Sequence, residues 1–189
     1  MKIYSEDKKI ILRDMIESDI ADYIRWHTVE TEWMAWDAPW EETETDYEKV
    51  KRQWTEYYNH NTEKPTDNLF LRTRCEIVLC NQDETHIGWV GSYCINDNYR
   101  YTKNNGYIAV GIDIPEGKYR GCGCGYSALK TYIYYLMQNE IDVVYTQTWS
   151  GNHAMINLAK KLGFIECQRL VGKRTVGGCK YDALTFILT

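Results

Sequence analysis

The segment that most constrains this chain is "GYIAVGIDIPEGKYRGCGCGYSALKTYIYYLMQ", residues 106–138. A β-branched run ends at Pro115, glycines and cysteines alternate over 121–125, and apolar residues then recur at helical spacing. This order predicts a strand over Gly106–Ile114, a tight turn, and a helix from about Gly125 to Gln138. Ala128, Leu129, Tyr132, Ile133 and Leu136 form its buried stripe. The first N–H groups of a helix lack partners, and the helix dipole adds partial positive charge there. Glycines permit left-handed angles and close approach of an anion. Lys118 and Arg120 add charge, so a phosphate site and a purely structural turn both stand at this point. A Walker loop does not fit, because the turn ends Gly125–Tyr126–Ser127. The glycines at 121, 123 and 125 miss the dinucleotide spacing. Cys122 and Cys124 have no second cysteine pair at metal-ligand spacing, so no metal is expected.

The rest of the chain surrounds this unit with alternating elements. Ile10–Arg13 reads as a strand, followed by a helix starting near Glu17 or Ser18 with Ile20, Tyr23, Ile24 and His27 on one face. "TDYEKVKRQWTEYY" reads as a second helix, with Thr45 and Glu48 in capping-box spacing and Tyr47, Val50, Trp54 and Tyr57 or Tyr58 as its stripe. "LFLRTRCEIVL" and "HIGWVGSYCI" read as strands, "DNYRYTKNN" as a polar loop, and "DVVYTQTW" as a strand after the long helix. "NHAMINLAKKL" is helical, with Met155, Leu158, Ala159 and Leu162 on one face and Gly163 at its stop. The C-terminal segment reads as a hairpin turning at Gly177–Gly178. The order is strand, two helices, three strands, helix, strand, helix, two strands, which implies an α/β sheet with helices on both faces, in a single domain over 1–189.

Charge and cysteine usage narrow the function classes. A net charge of −5 disfavours nucleic acid and suits a cationic substrate. No apolar run is long enough for a membrane span, and the charged start "MKIYSEDKKI" lacks the apolar centre of a signal peptide. The seven scattered cysteines read as free thiols of a reducing, cytoplasmic setting.

"IDIPEGKYRGCGCGYSAL" followed by "TWSGNHAMINLAKKLGF" resembles the GNAT N-acetyltransferases, whose Q/R-x-x-G-x-G/A turn binds the pyrophosphate of acetyl-CoA. Arg120, Gly123 and Gly125 match that pattern literally; Lys118, Gly121 and Gly123 match with Lys in first place. Asn152, Ala154, Lys161, Gly163 and Phe164 match the second element. "LRDMIESDIADYIRW" and "GGCKYDALTF" are similar to the Rim-type branch, the ribosomal-protein N-terminal acetyltransferases.

The resemblance implies a GNAT fold with a splayed strand pair and direct acetyl transfer from acetyl-CoA to a primary amine. It implies that Lys118, Tyr119, Arg120, Gly121, Cys122, Gly123, Cys124, Gly125 and Tyr126 surround the pyrophosphate. Main-chain groups of Ile112, Asp113 and Ile114, with Asn152, would hold the pantetheine arm. The family's strand glutamate is replaced by Ala109 and its helix tyrosine by Ala159. Asp113, in a Gly-Ile-Asp that resembles some aminoglycoside 6′-N-acetyltransferases, becomes the first candidate base, ahead of Glu76 and Tyr93. Ser150 or water becomes the candidate acid, with Ser150 equally readable as a helix cap.

The acceptor side is expected around "HTVETEWMAWDAPWEETETD". Trp33, Trp36, Asp37 and Tyr93 offer aromatic faces and a carboxylate suited to a cation. A core role for the tryptophans is the competing reading. The functions open at this point are acetylation of a small cationic amine such as an aminoglycoside or polyamine, acetylation of a peptide N-terminus, and acyl-CoA binding without turnover. A monomer or homodimer is expected.

Overall fold

The computed structural model describes residues 1–63, 73–103 and 106–189. One sheet organises it: β1 Lys2–Tyr4, β2 Ile10–Arg13, β3 Arg74–Leu79, β4 His86–Ile95, β5 Tyr101–Thr102, β6 Tyr107–Asp113, β7 Val144–Trp149, β8 Ile165–Val176 and β9 Cys179–Leu188. The strand order is β1-β2-β3-β4-β6-β7-β9-β8, with β5 beside β4. Among the described residues β6–β7 is the parallel pair and the others are antiparallel. The helices are α1 Asp19–Thr28, α2 Tyr47–Glu63, α3 Cys124–Gln138 and α4 His153–Lys161. Among the described residues no helix is long and apolar enough to cross a membrane.

Side chains of a strand alternate between faces, and cross-strand partners share one. One face carries Ile10, Leu12, Cys75, Ile77, Val90, Val110 and Val144, all buried against the α3 stripe and Ala159 of α4. The opposite face carries Trp89, which packs with Tyr23 and Trp26 of α1 and with Val50 and Trp54 of α2. Helices thus cover both faces, as the element order implies.

The expected elements form, with local differences. β1 and β5 were not expected; strands of three and two residues carry too few alternations to show a period. Residues 69–72 of the expected "LFLRTRCEIVL" strand, and residues 104–105 of the polar loop, lie outside the described residues. Asp46, not Thr45, caps α2, accepting the Lys49 N–H at 3.0 Å. Glu44 meanwhile takes the N–H groups of Thr45 and Asp46. Tyr47 stays exposed. Ser18 opens α1 without a side-chain cap; Asp19 folds back to the Ile16 N–H at 2.8 Å and forks with Arg13 at 2.6 and 2.7 Å. Gly163 ends α4 at φ +93°, and Gly177–Gly178 turn the last hairpin at φ +55° and +81°, the signs a two-residue type I′ turn requires.

The feature that positions the site is where pairing stops. β6 and β7 pair only from Ile108↔Val144 to Val110↔Thr146. Thr146 Oγ1 donates to the Val110 carbonyl at 2.8 Å at that limit. Beyond it β6 continues with β4 as far as Asp113, while β7 continues with β9 as far as Trp149. A wedge therefore opens between Gly111–Asp113 and Gln147–Trp149. β6 is held away along its other edge by β4, so closely that a Cβ on Gly88 would stand 2.1 Å from the Asp113 carbonyl oxygen.

Candidate active site

The glycine turn lies at the end of the wedge. Gly121 and Gly123 take φ +73° and +93°, and Gly123 is the first residue before α3. Among the described residues, none of the six main-chain N–H groups from Gly121 to Tyr126 donates to a protein oxygen. Six adjacent donors at a helix N-terminus form an anion cradle. Arg120 does not point into it: its Nε donates to the Ile114 carbonyl at 2.7 Å, and its terminal nitrogens reach the Pro115 carbonyl and Glu32 Oε2. Arg120 instead fastens the turn to the end of β6. Lys118 is exposed and pairs with Glu116 at 2.6 Å. Lys9, which nothing in the sequence pattern singled out, reaches the turn from the β1–β2 connection, 3.4 Å from the Cys122 carbonyl. Gly125 sits in the first turn of α3 against Ile112, Ile114 and Leu158.

On the α1/α2 face the strands present rows of side chains. Arg13, Glu76, Trp89 and Asp113 form one row across β2, β3, β4 and β6. The next row contains Gly91 beside Gly111, and the one after it Tyr93 beside Ala109 and Tyr145. The paired glycines leave a floor without side chains between Asp113 and Tyr93. A Cβ on Gly111 would meet nothing within 4 Å. Ala109 itself is fully buried among tyrosines, including Tyr93 and Tyr145, which fill the space a glutamate would need.

Asp113 is half-buried beside this floor. Loss of solvent and the charge of Asp37 push its carboxyl up to about 8, against the opposing pull of Arg74, the Trp89 indole and Arg120. Asp37 borders a cleft of about 340 Å³ with His27, Trp33, Met34, Glu41, Glu42 and Glu44. Its own carboxyl is raised by partial desolvation and by Glu41. Tyr93 donates to Gln147 at 3.3 Å; burial and Asp37 hold its phenol well above the usual range, so it is neutral. Burial holds His27 below its ordinary pKa, and its Nδ1–H donates to the Tyr23 carbonyl at 2.8 Å.

Sequence reasoning missed Arg74. Its guanidinium sits 4.5 to 6.0 Å from the ring centroids of Tyr23, Trp54, Tyr57 and Trp89 and donates to the Tyr23 hydroxyl at 2.6 Å. The one available signal was the "RCE" alternation that puts Arg74 and Glu76 on a common face. Glu76 is not free to act as a base: it is 1% exposed and accepts from Tyr23 at 2.6 Å and from His86 at 3.0 Å.

The other expected residues fall as follows. Trp33 is buried, donates to the Trp26 carbonyl, and shows the cleft only an edge. Trp36 is 42% exposed and donates to Glu32. Its carbonyl accepts from Trp149 and from Asn152. Asn152 caps α4 at the Met155 N–H, 2.9 Å, so one contact at each end of its amide is to the protein. Ser150 caps nothing; its oxygen accepts the Asp182 N–H at 2.9 Å, and among the described residues its own proton has no acceptor. Ala159 is fully buried beneath α3, which leaves no place for a tyrosine acid.

Among the described residues Asp19, Asp22 and His86 bring ligand-type atoms within 4.8 Å of one another. Burial opposes charge on His86, but Asp22, Glu76 and Asp19 raise it to about 9. Together with Arg13 on Asp19, the imidazolium already supplies the positive charge those carboxylates require.

An anion cradle at a helix start thus stands beside a strand splayed from its parallel neighbour. Residues 9–165 match the family described as acetyltransferase (GNAT) domain, and the chain belongs to that family. It is an acetyl-CoA-dependent N-acetyltransferase by that membership. A search of curated protein sequences finds no match. Similar solved structures include RimL, a ribosomal L7/L12 alpha-N-protein acetyltransferase, in complex with coenzyme A (13% identity, TM-score 0.71, 100% of this chain and 97% of that one). The ribosomal-protein-S5-alanine acetyltransferase from Vibrio fischeri is another (16%, 0.72, 100% and 96%). The spermidine N-acetyltransferase from Vibrio cholerae, in complex with CoA and spermine, is a third (18%, 0.67, 95% and 95%). At these identities the likeness is one of fold.

Proposed function

We propose that the chain acetylates a small cationic amine, with Asp113 as the base. The carrying observation is the Asp113 carboxyl at the wedge, raised to about 8 by burial and by the charge of Asp37, which borders an acidic cleft with Trp33. A general base works best with a pKa near the operating pH. Asp37, Glu41, Glu42 and Glu44 attract a polycation, and the Gly91–Gly111 floor lets one amine reach Asp113.

In this reading the N–H groups of Gly121 to Tyr126 hold the pyrophosphate, with Lys118 and Lys9 adding charge. The unpaired edge of β6 at Ile112, Asp113 and Ile114 lies along the pantetheine arm. Arg120 preserves the geometry of both. The amine attacks the thioester carbonyl as its proton passes to Asp113, and the departing thiolate takes a proton from Ser150 or water. Lys118, Tyr119, Cys122, Cys124 and Tyr126 contribute through the main chain or the rim of the turn.

Thiol release from acetyl-CoA across a panel of polyamines, aminoglycosides and short peptides tests this. Turnover is expected on polyamines or aminoglycosides, rising as ionic strength falls. Turnover on peptide N-termini alone would overturn the small-amine reading, and tight CoA binding with no turnover on any amine would overturn the catalytic one.

A further inference from the structure

Cys122 and Cys124 flank Gly123 at the head of α3, with their sulfurs hydrogen-bonded at 3.3 Å. They differ in access: Cys122 is exposed and Cys124 is buried. The Cys122 thiol donates to the Tyr119 carbonyl at 3.0 Å. The Cys124 N–H lowers the Cys122 pKa most; desolvation opposes this, and the Cys124 thiol, the Cys122 N–H and the Lys9 ammonium add to the lowering. Burial and the adjacent Cys122 push Cys124 up to about 11, with Lys9 opposing and Asp7 adding to the rise. An accessible, activated thiol beside a second thiol in reach is the arrangement that peroxide-sensitive proteins require.

We propose that Cys122 and Cys124 form an oxidation site, at which a hydroperoxide closes a disulfide within the turn and shuts the pyrophosphate cradle. The proposal rests on the reading that residues 121–126 hold the pyrophosphate. The Cys122 thiolate attacks a peroxide oxygen, breaking the O–O bond and giving a sulfenic acid and, from hydrogen peroxide, water. The Cys124 sulfur then attacks the sulfenic sulfur; an S–S bond forms, the S–O bond breaks, and hydroxide leaves with the Cys124 proton as a second water. The two thiols lose two electrons and two protons, and the peroxide gains them. The sulfurs must approach by about 1.2 Å to reach bonding distance, a movement that rotation of the exposed Cys122 side chain can supply.

Closure and cofactor compete for the same groups. The Cys124 N–H now points at the Cys122 sulfur, and it is also one of the six donors of the cradle. A disulfide draws that sulfur across the start of α3 and locks Gly123 in a small ring. Bound pyrophosphate does the reverse: it takes the N–H, adds negative charge beside Cys122, and makes the thiolate harder to form.

The test uses the full-length reduced protein, hydrogen peroxide and CoA. Trypsin releases Gly121–Lys130, which contains both of these cysteines and no other. After peroxide, this peptide should be lighter by two hydrogens and resist alkylation, CoA Kd should rise at least tenfold, and a dithiol should restore both. Prior saturation with CoA should slow the mass change. In Cys122→Ala the ratio of Kd after peroxide to Kd before it should stay near one, whatever the starting affinity. Two alkylated cysteines after peroxide, or a formed disulfide with unchanged Kd, would overturn the proposal. If the reduced protein does not bind CoA at all, the cradle reading falls and the closure with it, while the mass still reports whether the thiols pair.

Discussion

The two sides of the site are built differently. The proposed cofactor side is almost all main chain: one strand end, one turn and one helix start within Ile112–Tyr126, with its donors set by backbone angles. The proposed acceptor side is almost all side chain. Asp113 comes from β6, Tyr93 and Trp89 from β4, Arg74 from β3, Gln147 from β7, and Asp37 from the segment between the first two helices. A contiguous backbone site is tolerant of side-chain identity and intolerant of changes in φ. A site of converging side chains is sensitive to each charge and each volume. The difference also concentrates the expected pH sensitivity of turnover in the acceptor side, where Asp37 raises the cost of ionising Asp113.

The sharpest break between the two sides is Asp113→Asn. The loss of a general base should lower kcat by roughly 10²–10⁴-fold, with CoA Kd changed less than twofold by calorimetry. Equal losses in both quantities would show that the two sides are not separable there. Gly123→Ala is the converse. Forcing a Cβ into φ +93° costs about 1–2 kcal/mol, so CoA Kd should rise roughly tenfold while the KM of the amine moves little.

Gly111→Val comes next. Its side chain meets open space in the protein, so folding is preserved, but it fills the floor beside Asp113. The KM of the amine should rise several-fold in steady-state assays, more for branched amines than linear ones. The smallest effect is Asp37→Asn. With Asp113 raised to about 8, kcat/KM should fall as pH drops through that value, because the protonated carboxyl cannot accept a proton. Removing the like charge of Asp37 lets Asp113 ionise more easily, so this limb should move to lower pH. A limb that stays in place in Asp37→Asn but vanishes in Asp113→Asn would retain the base and discard the coupling.

The same contrast explains what the sequence disclosed. The strand, turn and helix of the proposed cofactor side were legible because they are consecutive, and each carries a local signature: β-branching, glycine, helical apolar spacing. Asp113 falls at the end of that same strand. Arg74, Gln147 and the Gly91–Gly111 floor were not, since their meaning arises only when β3, β4, β6 and β7 align in register. Asn152 shows the limit in another way. A helix-capping residue and a ligand-binding one have the same sequence, and the structure gives its amide to Met155 and Trp36. The tryptophans divide likewise: Trp33 packs inside, Trp36 stays half outside, and residue type alone does not distinguish them.

Arg120 joins the two sides. Its guanidinium grips the Ile114 and Pro115 carbonyls at one end and Glu32 at the other, and Glu32 also receives the Trp36 indole. Cofactor loading that steadies the turn thereby steadies the segment bearing Asp37. On the proposed function, the expected kinetic consequence is an ordered reaction in which the acyl donor enters first. By thermodynamic reciprocity, any factor by which acetyl-CoA tightens binding of the amine is the factor by which the amine tightens binding of acetyl-CoA.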